Sequence, residues 1–200
     1  MVRNVVKQIV SAAAVLLAFS AGVALSQDKG GKGGGKGPQG PGLTLTSPDI
    51  EDGGIIADKF SSKAGAATVS PRLQWDHVPM GTQSFALLFH DPDVALQKKT
   101  DDVTHWMVFN IPGDAKELPG GISADAKLAD GTIQIKNTAN RVGYLGPGAG
   151  AAGPYHHYTF ELFALDTKLD LTDSATRADV MNAMQGHILA KGVLAGRFHQ

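Results

Sequence analysis

The feature that most constrains the fold of this 200-residue chain is a series of short segments rich in Val, Ile, Thr and aromatic residues. Gly, Pro and Asp separate these segments, which is typical of β-strands joined by turns. The segments predicted as strands are 43–47, 55–60, 84–90, 103–111, 132–136, 156–165 and 193–198. Several strands of this length must bury one face against another layer, so we expect packed sheets in a sandwich or a barrel.

One helix is predicted near the carboxyl end of the chain. Thr176 and Asp179 have the spacing of a capping box, in which the two side chains satisfy backbone N–H groups of the first turn. Gly192 is predicted to end this helix, and its apolar residues at helical spacing are Val180, Met184 and Ile188. A helix that buries one stripe against a β core gives a β-dominated α/β protein.

Residues 1–26 have the pattern of a secretory signal peptide. Arg3 and Lys7 form a basic start, residues 9–25 are mostly Ala, Val and Leu, and Ala24-Leu25-Ser26 provides small residues for cleavage directly after it. The alternative is an uncleaved membrane anchor, but the run is marginal against the ~20 strongly apolar residues that a membrane span needs. We therefore expect cleavage, a periplasmic or secreted mature protein, and no integral membrane span in it.

Residues 27–42 are predicted to form a disordered linker, because 8 of these 16 residues are Gly and three are Lys. The rest of the chain, 43–200, contains 13 Lys and Arg against 18 Asp and Glu, a net charge of −5. This mild acidity argues against nucleic acid as a partner, so any bound anion needs a local site. The chain has no Cys, which excludes disulfides and thiolate metal sites.

Three groups of polar residues lie at or near the ends of predicted strands: Asp91-Pro92-Asp93, His105-Trp106 and His156-His157-Tyr158. If these strands lie side by side, the groups converge at one end of the sheets. Between the last two groups, residues 143–150 (GYLGPGAG) contain glycines whose backbone N–H groups can approach a ligand closely. Imidazole, phenol and amide groups together suit an anion such as phosphate. Successive strand residues face opposite sides, so at most one residue of the His156-His157 pair faces a pocket.

Seven motifs occur in a single order over residues 43–199. They are SPRLQW at 70–75, PMGTQSFA at 79–86, DPD at 91–93, HWMVFNIP at 105–112, GYLGP at 143–147, HHYTF at 156–160, and the segment from Gly186-His187 to Gly196. In their order and in their residues they closely resemble the motifs of the phosphatidylethanolamine-binding protein (PEBP) family, and more narrowly those of its bacterial Raf kinase inhibitor-like branch. The resemblance covers roughly residues 43–199 of the predicted domain, which spans 43–200.

The resemblance implies a large central β-sheet packed against a smaller sheet, with helices near the carboxyl terminus. It also implies a small pocket at one end of the sheets that accommodates phosphate-like groups. The pocket residues carried over by motif are Asp91, His105, Gly146, His156 and Tyr158, with Pro147 shaping the loop and Asp93 at the rim. His157 stands where relatives commonly have Arg, and Val94-Ala95-Leu96 follows the Asp-Pro-Asp motif where many relatives continue with Ala-Pro.

The leading functional prediction is binding of a small phosphate-like or carboxylate anion, such as a phospholipid headgroup. A second hypothesis is a regulator that inhibits a protease or kinase as its protein partner, although a signal peptide would separate the chain from cytoplasmic kinases. A third is a hydrolase or metal enzyme that uses Asp91, His105 and His156. Neither GxSxG nor HExxH occurs, so the sequence gives the enzyme hypothesis no further support, and no catalytic residue, metal or cofactor is predicted. The histidines interpreted as structural or surface residues are His77, His90, His187 and His199.

Overall fold

The computed structural model describes residues 42–200, so the predicted signal peptide and residues 27–41 of the predicted linker lie outside the described residues. Within that range, the strands are β1 (Thr44–Thr46), β2 (Gly54–Ile55), β3 (Leu73–Asp76), β4 (Ser84–Asp91), β5 (Val103–Pro112), β6 (Glu117–Leu118), β7 (Ile133–Gln134), β8 (His156–Leu165) and β9 (Ile188–Phe198). The helix α1 spans Arg177–Ala183, and 3₁₀ turns lie at Asp58–Phe60, Ser62–Ala67 and Leu96–Lys98. No helix within residues 42–200 is long and apolar enough to cross a membrane.

The strands form two sheets. The larger sheet has six strands in the order β2-β9-β8-β4-β5-β7, and the smaller has three in the order β1-β3-β6. Neighbouring strands are antiparallel, apart from β2, which runs parallel to β9. One hydrophobic core lies between the two sheets, and a second lies between the large sheet and α1. This confirms the prediction of a β-dominated α/β protein with a large sheet packed against a smaller one.

Strand β4 is central because it is covered on both faces. Phe85, Leu87 and Phe89 belong to the core between the sheets, whereas Ala86 and Leu88 belong to the core beneath α1. A strand with two buried faces is a continuous apolar run rather than an alternating one, which is why this segment was readily predicted. Its last residues leave the core at one end of the sheet, and this is where the polar side chains begin.

The helix is shorter than predicted, and the strand that follows is longer. The predicted capping box is present at the N terminus of α1, and Val180 and Met184 are fully buried against the large sheet. Gly186 then adopts a left-handed conformation with φ of 83° and turns the chain. Ile188, predicted as a helical residue, instead begins β9 and pairs with Leu165 of β8. The prediction that the helix extends to Gly192 is therefore wrong, because strand pairing along β8 takes over the segment after Gly186.

Predicted strand 43–47 loses one residue at each end, and two other predicted strands are much shorter in the structure. Segment 55–60 contributes only its first residue to β2, and a 3₁₀ turn at Asp58–Phe60 replaces the rest. The ladder between β2 and β9 ends with the pair Ile55 and Arg197, and the N–H of Ile56 still donates to the carbonyl of Arg197 at 2.9 Å before the chain turns away. Segment 132–136 is reduced to β7, which pairs with β5 at only two positions. Neither β3 nor β6 is among the predicted strands. β6 has only two residues, whereas β3 alternates between buried apolar and more exposed polar residues over four positions.

Candidate functional site

An open cavity of about 470 Å³ lies at one end of the large sheet, where β4 ends and where β5 and β8 begin. It brings together five of the predicted site residues: Asp91, His105, Gly146, His156 and Tyr158. Apolar side chains of Val94, Val103, Leu145 and Ala149 complete much of the wall. Pro147 is buried and does not line the cavity.

A β-bulge aims His105 into this cavity. Phe89 of β4 pairs with Trp106 of β5, but His90 pairs with Thr104, so His105 is an extra residue on β5 with no partner on β4. A bulge lets two successive side chains point to the same side of a strand. Trp106 lies in the core between the sheets, and the His105 ring lies on the same side, with its centroid 5.3 Å from that of Phe89.

The hydrogen bond to Leu145 determines the tautomer of His105. Nδ1 of His105 lies 2.8 Å from the carbonyl oxygen of Leu145. Because a carbonyl only accepts, Nδ1 carries the proton and donates it, and the neutral ring has a lone pair on Nε2. Burial lowers the pKa of His105, and the Leu145 hydrogen bond and the charge of Asp91 offset only part of this effect. The free site therefore holds a neutral imidazole at neutral pH, with Nε2 as an acceptor.

Asp91 fixes the orientation of His156. This aspartate is almost fully buried, and its Oδ2 lies 2.7 Å from Nδ1 of His156. The imidazole donates its Nδ1 proton to the carboxylate, which leaves Nε2 as the ring nitrogen available to a ligand. The other carboxylate oxygen, Oδ1, accepts the backbone N–H of Asp93 at 2.9 Å. With one oxygen bound to each donor, the carboxylate has a single orientation.

Tyr158 lies between the two imidazoles. Its ring centroid is 5.2 Å from that of His105 and 6.4 Å from that of His156. The hydroxyl oxygen accepts the backbone N–H of Ala149 at 3.1 Å and that of Gly148 at 3.3 Å. Burial raises the pKa of Tyr158 to about 12, so the phenol keeps its proton at neutral pH. Tyr158 therefore holds the glycine-rich loop against β8.

Gly146 is required by the packing of the loop behind the cavity. A Cβ atom at this position would lie 2.8 Å from the backbone carbonyl carbon of Ser61 and 2.9 Å from the backbone nitrogen of Ser62. The carbonyl of Pro147 accepts the N–H of Ser62 at 2.8 Å and holds the loop against this 3₁₀ turn. Gly146 lines the cavity, and its N–H has no acceptor among residues 42–200.

The rim of the cavity carries a second histidine–aspartate pair. Nδ1 of His157 lies 3.0 Å from Oδ2 of Asp93, and the same oxygen accepts the backbone N–H of His157. Although burial raises the pKa of Asp93, the hydrogen bonds from His157 lower it below its ordinary value. The alternation predicted along β8 is confirmed, because His156 lines the cavity and His157 does not. His157 of this pair occupies the position at which the family resemblance implies an arginine.

Behind the rings of His105 and Tyr158, which line the cavity, lies an aromatic stack that no sequence motif indicates. The Phe89 ring is stacked on that of Phe160 with centroids 3.9 Å apart, and on that of Tyr144 with centroids 5.4 Å apart. Phe89 also contacts the rings of His105 and Tyr158. In the sequence this residue looks like any other apolar strand residue, so no signal separated it from the core. Val94 and Val103 of the wall were missed for the same reason.

A second polar cluster lies beyond β4 and β5 on the side of α1. Nδ1 of His90 is 2.7 Å from Oδ2 of Asp102, and Arg177 of α1 donates to the same carboxylate. Arg177 also donates to the hydroxyl of Thr104 at 3.3 Å. The cluster links α1 to the start of β5, which agrees with the interpretation of His90 as structural. Arg177 is 75 residues from Asp102 in the chain, so no local pattern indicates this contact.

The metal-enzyme hypothesis requires Asp91, His105 and His156 to coordinate one ion. In the structure, Nδ1 of each histidine donates to a protein acceptor, and both oxygens of Asp91 already accept hydrogen bonds. Among residues 42–200, no group of three or more His, Cys, Asp or Glu side chains has the arrangement of a metal site.

Comparison with known proteins gives consistent matches. Residues 46–199 match the family model described as phosphatidylethanolamine-binding protein. A UPF0098 protein of Methanothermobacter thermautotrophicus is 35% identical over 158 residues, which cover 79% of this chain and 99% of that protein. The UPF0098 protein YbhB of Escherichia coli is 32% identical over 161 residues, which cover 78% of this chain and 99% of YbhB.

Two solved structures have the same fold over most of this chain. A phosphatidylethanolamine-binding protein homologue from Chlamydia trachomatis superposes with a TM-score of 0.68 at 30% identity, covering 80% of this chain and 99% of the homologue. YbcL of Escherichia coli, described as a member of the mammalian PEBP family, superposes with a TM-score of 0.69 at 28% identity, covering 80% of this chain and 99% of YbcL.

Proposed function

Because the chain belongs to the phosphatidylethanolamine-binding protein family, in the bacterial branch that includes YbhB and YbcL, we propose that its cavity binds a small oxyanion. The ligand carries a phosphate-like or carboxylate group, as a phospholipid headgroup does. The observation that carries the proposal is the convergence of His105, His156 and the free N–H of Gly146 on one cavity. A protonated imidazole and a backbone amide both donate to oxyanions, and hydrogen bonds that involve a charged group are the stronger ones.

The apolar wall strengthens such binding. Val94, Val103 and Leu145 replace water on one side of the cavity, and a hydrogen bond to an anion is stronger where water is excluded. Asp91 contributes indirectly, because it holds the ring of His156 in a fixed position and so reduces the entropy lost on binding. The arrangement supports capture and release of a ligand.

Calorimetric titration tests this function. Inorganic phosphate and phosphoethanolamine are added to the wild type, His105→Ala and His156→Ala at about pH 6, where histidines are partly protonated. Each substitution removes a charge-assisted hydrogen bond of ~1.5–3 kcal/mol, so we expect each to lower the affinity about tenfold or more.

The matched control for these variants is His187→Ala. His187 also forms a pair with an aspartate, with Nδ1 2.8 Å from Oδ1 of Asp166, but it is exposed and lies outside the cavity. Its substitution is expected to leave the affinity unchanged. Equal affinities for all four proteins, or no binding to any of them, would contradict the proposed function.

We also propose that the protein acts in the periplasm or outside the cell. The support is the basic start, the apolar run and the small residues that precede Gln27. N-terminal sequencing of the protein recovered from the periplasm or the medium is expected to begin at Gln27. An intact Met1 in the membrane fraction would contradict cleavage.

A further inference from the structure

The cavity has no permanent positive charge in its wall. None of its lining residues is Lys or Arg, and Asp91 is the one carboxylate among them. Lys63, which follows a lining residue in the sequence, instead pairs with Asp58 at 3.4 Å. Among the lining residues that the structure describes, only His105 and His156 can become positively charged.

The other titratable groups close to these two imidazoles do not add a permanent cation either. The titratable groups near His105 lie on β4 and just before β5. The titratable groups near His156 lie at the end of β4, just after it, and on β8. The groups concerned are Asp91, His90 and Asp102 around His105, and Asp91, Asp93, His157 and Tyr158 around His156. Three of these six groups, Asp91, Asp93 and Asp102, are carboxylates and none is Lys or Arg, so the groups provide no permanent positive charge to an anion.

The hydrogen-bond pattern determines how many extra protons the site needs in order to bind an oxyanion. In the neutral site, both Nδ1 protons are already donated, to Leu145 and to Asp91, and both Nε2 atoms are acceptors. An oxyanion also presents acceptors only, so it cannot bond to either Nε2 unless a proton lies between them. That proton comes from the solvent or is carried by the ligand itself.

The balance of charges in the cavity determines the net charge of the anion that it binds best. One protonated imidazole balances Asp91, and the second balances one negative charge on the ligand. A second negative charge on the ligand has no partner among the lining residues, and leaving a charge unpaired in a partly desolvated site is unfavourable.

We infer that the cavity selects monoanionic oxyanions, such as phosphodiesters, carboxylates or singly protonated phosphates, over dianions, and that it takes up protons as it binds them. This inference rests on the proposed function. The occupancy of the site therefore depends on pH, because binding requires the right protonation state of the ligand and protons on the two imidazoles.

A series of ligands of similar size but different charge tests the selectivity. Dimethyl phosphate is a monoanion at every pH used, sulfate is a dianion, and methyl phosphate changes from one to the other near pH ~6. We expect dimethyl phosphate to bind at least about tenfold more tightly than methyl phosphate at about pH 8. At about pH 5.5 the two affinities should converge, while sulfate stays weak.

Proton uptake is measured in the same titrations by repeating them in buffers with different heats of ionisation. We expect the binding enthalpy of dimethyl phosphate at about pH 7 to vary with the buffer in the direction of proton uptake by the protein. Equal affinity for sulfate and dimethyl phosphate, or an enthalpy that is independent of the buffer, would overturn the inference and leave the proposed function intact. Absence of binding by all three ligands at about pH 5.5 would overturn both.

Discussion

The substitution Asp91→Asn is expected to strengthen anion binding at about pH 8 by about tenfold or more and to weaken its dependence on pH. The amide oxygen is required to accept the N–H of Asp93, so the amide NH₂ must face Nδ1 of His156. Nδ1 then becomes an acceptor, and the neutral imidazole carries its proton on Nε2. The variant therefore presents a donor to the anion without taking up a proton at His156, and it also lacks the negative charge of the carboxylate.

Calorimetric titration of dimethyl phosphate across the range from about pH 5.5 to 8 measures this effect. In the wild type, each proton taken up changes the affinity by up to about tenfold per pH unit, and the affinity rises as the pH falls. The variant should lose the contribution of His156 and retain that of His105, whose lowered pKa places its protonation below the ordinary histidine range.

The matched control is Asp93→Asn. It removes one negative charge at the rim but leaves the bond between Asp91 and His156 in place. Its slope of affinity against pH is expected to match that of the wild type. If Asp91→Asn binds more weakly than the wild type at about pH 8, or shows an unchanged slope, the tautomer argument is wrong.

The substitution Phe89→Ala is expected to lower the free energy of unfolding by about 3–5 kcal/mol. Phe89 is fully buried, and its ring stacks on Phe160 and Tyr144, with no space for solvent to replace it. Removal of the ring leaves a cavity between the sheets and removes the aromatic surface that the His105 ring contacts. Since domains are commonly stable by only ~5–15 kcal/mol, this change is a large part of the total.

Urea denaturation followed by tryptophan fluorescence measures the loss, because Trp75 and Trp106 are both buried in the same core as Phe89. Met80→Ala is the control, since Met80 is 98% exposed and its substitution should change the free energy of unfolding by less than about 0.5 kcal/mol. A loss for Phe89→Ala no larger than that of the control would show that the aromatic stack does not support the fold.

Much of the β architecture follows from local sequence. The segments that form β4, β5 and β8 are rich in apolar and aromatic residues over eight to ten positions and end at or just before Asp or Pro, so their position and type are predictable from composition and turn chemistry. The capping box at Thr176 also acts within four residues and was predicted correctly. The ordered motifs indicated the family and named the polar side chains that the fold brings to one cavity, although their part in binding remains a prediction.

Other properties depend on partners that are distant in the chain. The pairing register between β4 and β5 decides that His105 is a bulge residue, and a carbonyl 40 residues away in the chain decides which of its nitrogens carries the proton. The helix ends at Ala183, before the turn at Gly186, because β8 offers a strand partner to the residues from Ile188 onward. Local patterns determine which residues are apolar, polar or turn-forming. Hydrogen-bond register, tautomer and the absence of a cation from the cavity wall arise only when distant segments pack, because each of them is a property of a pair of atoms and not of a stretch of chain.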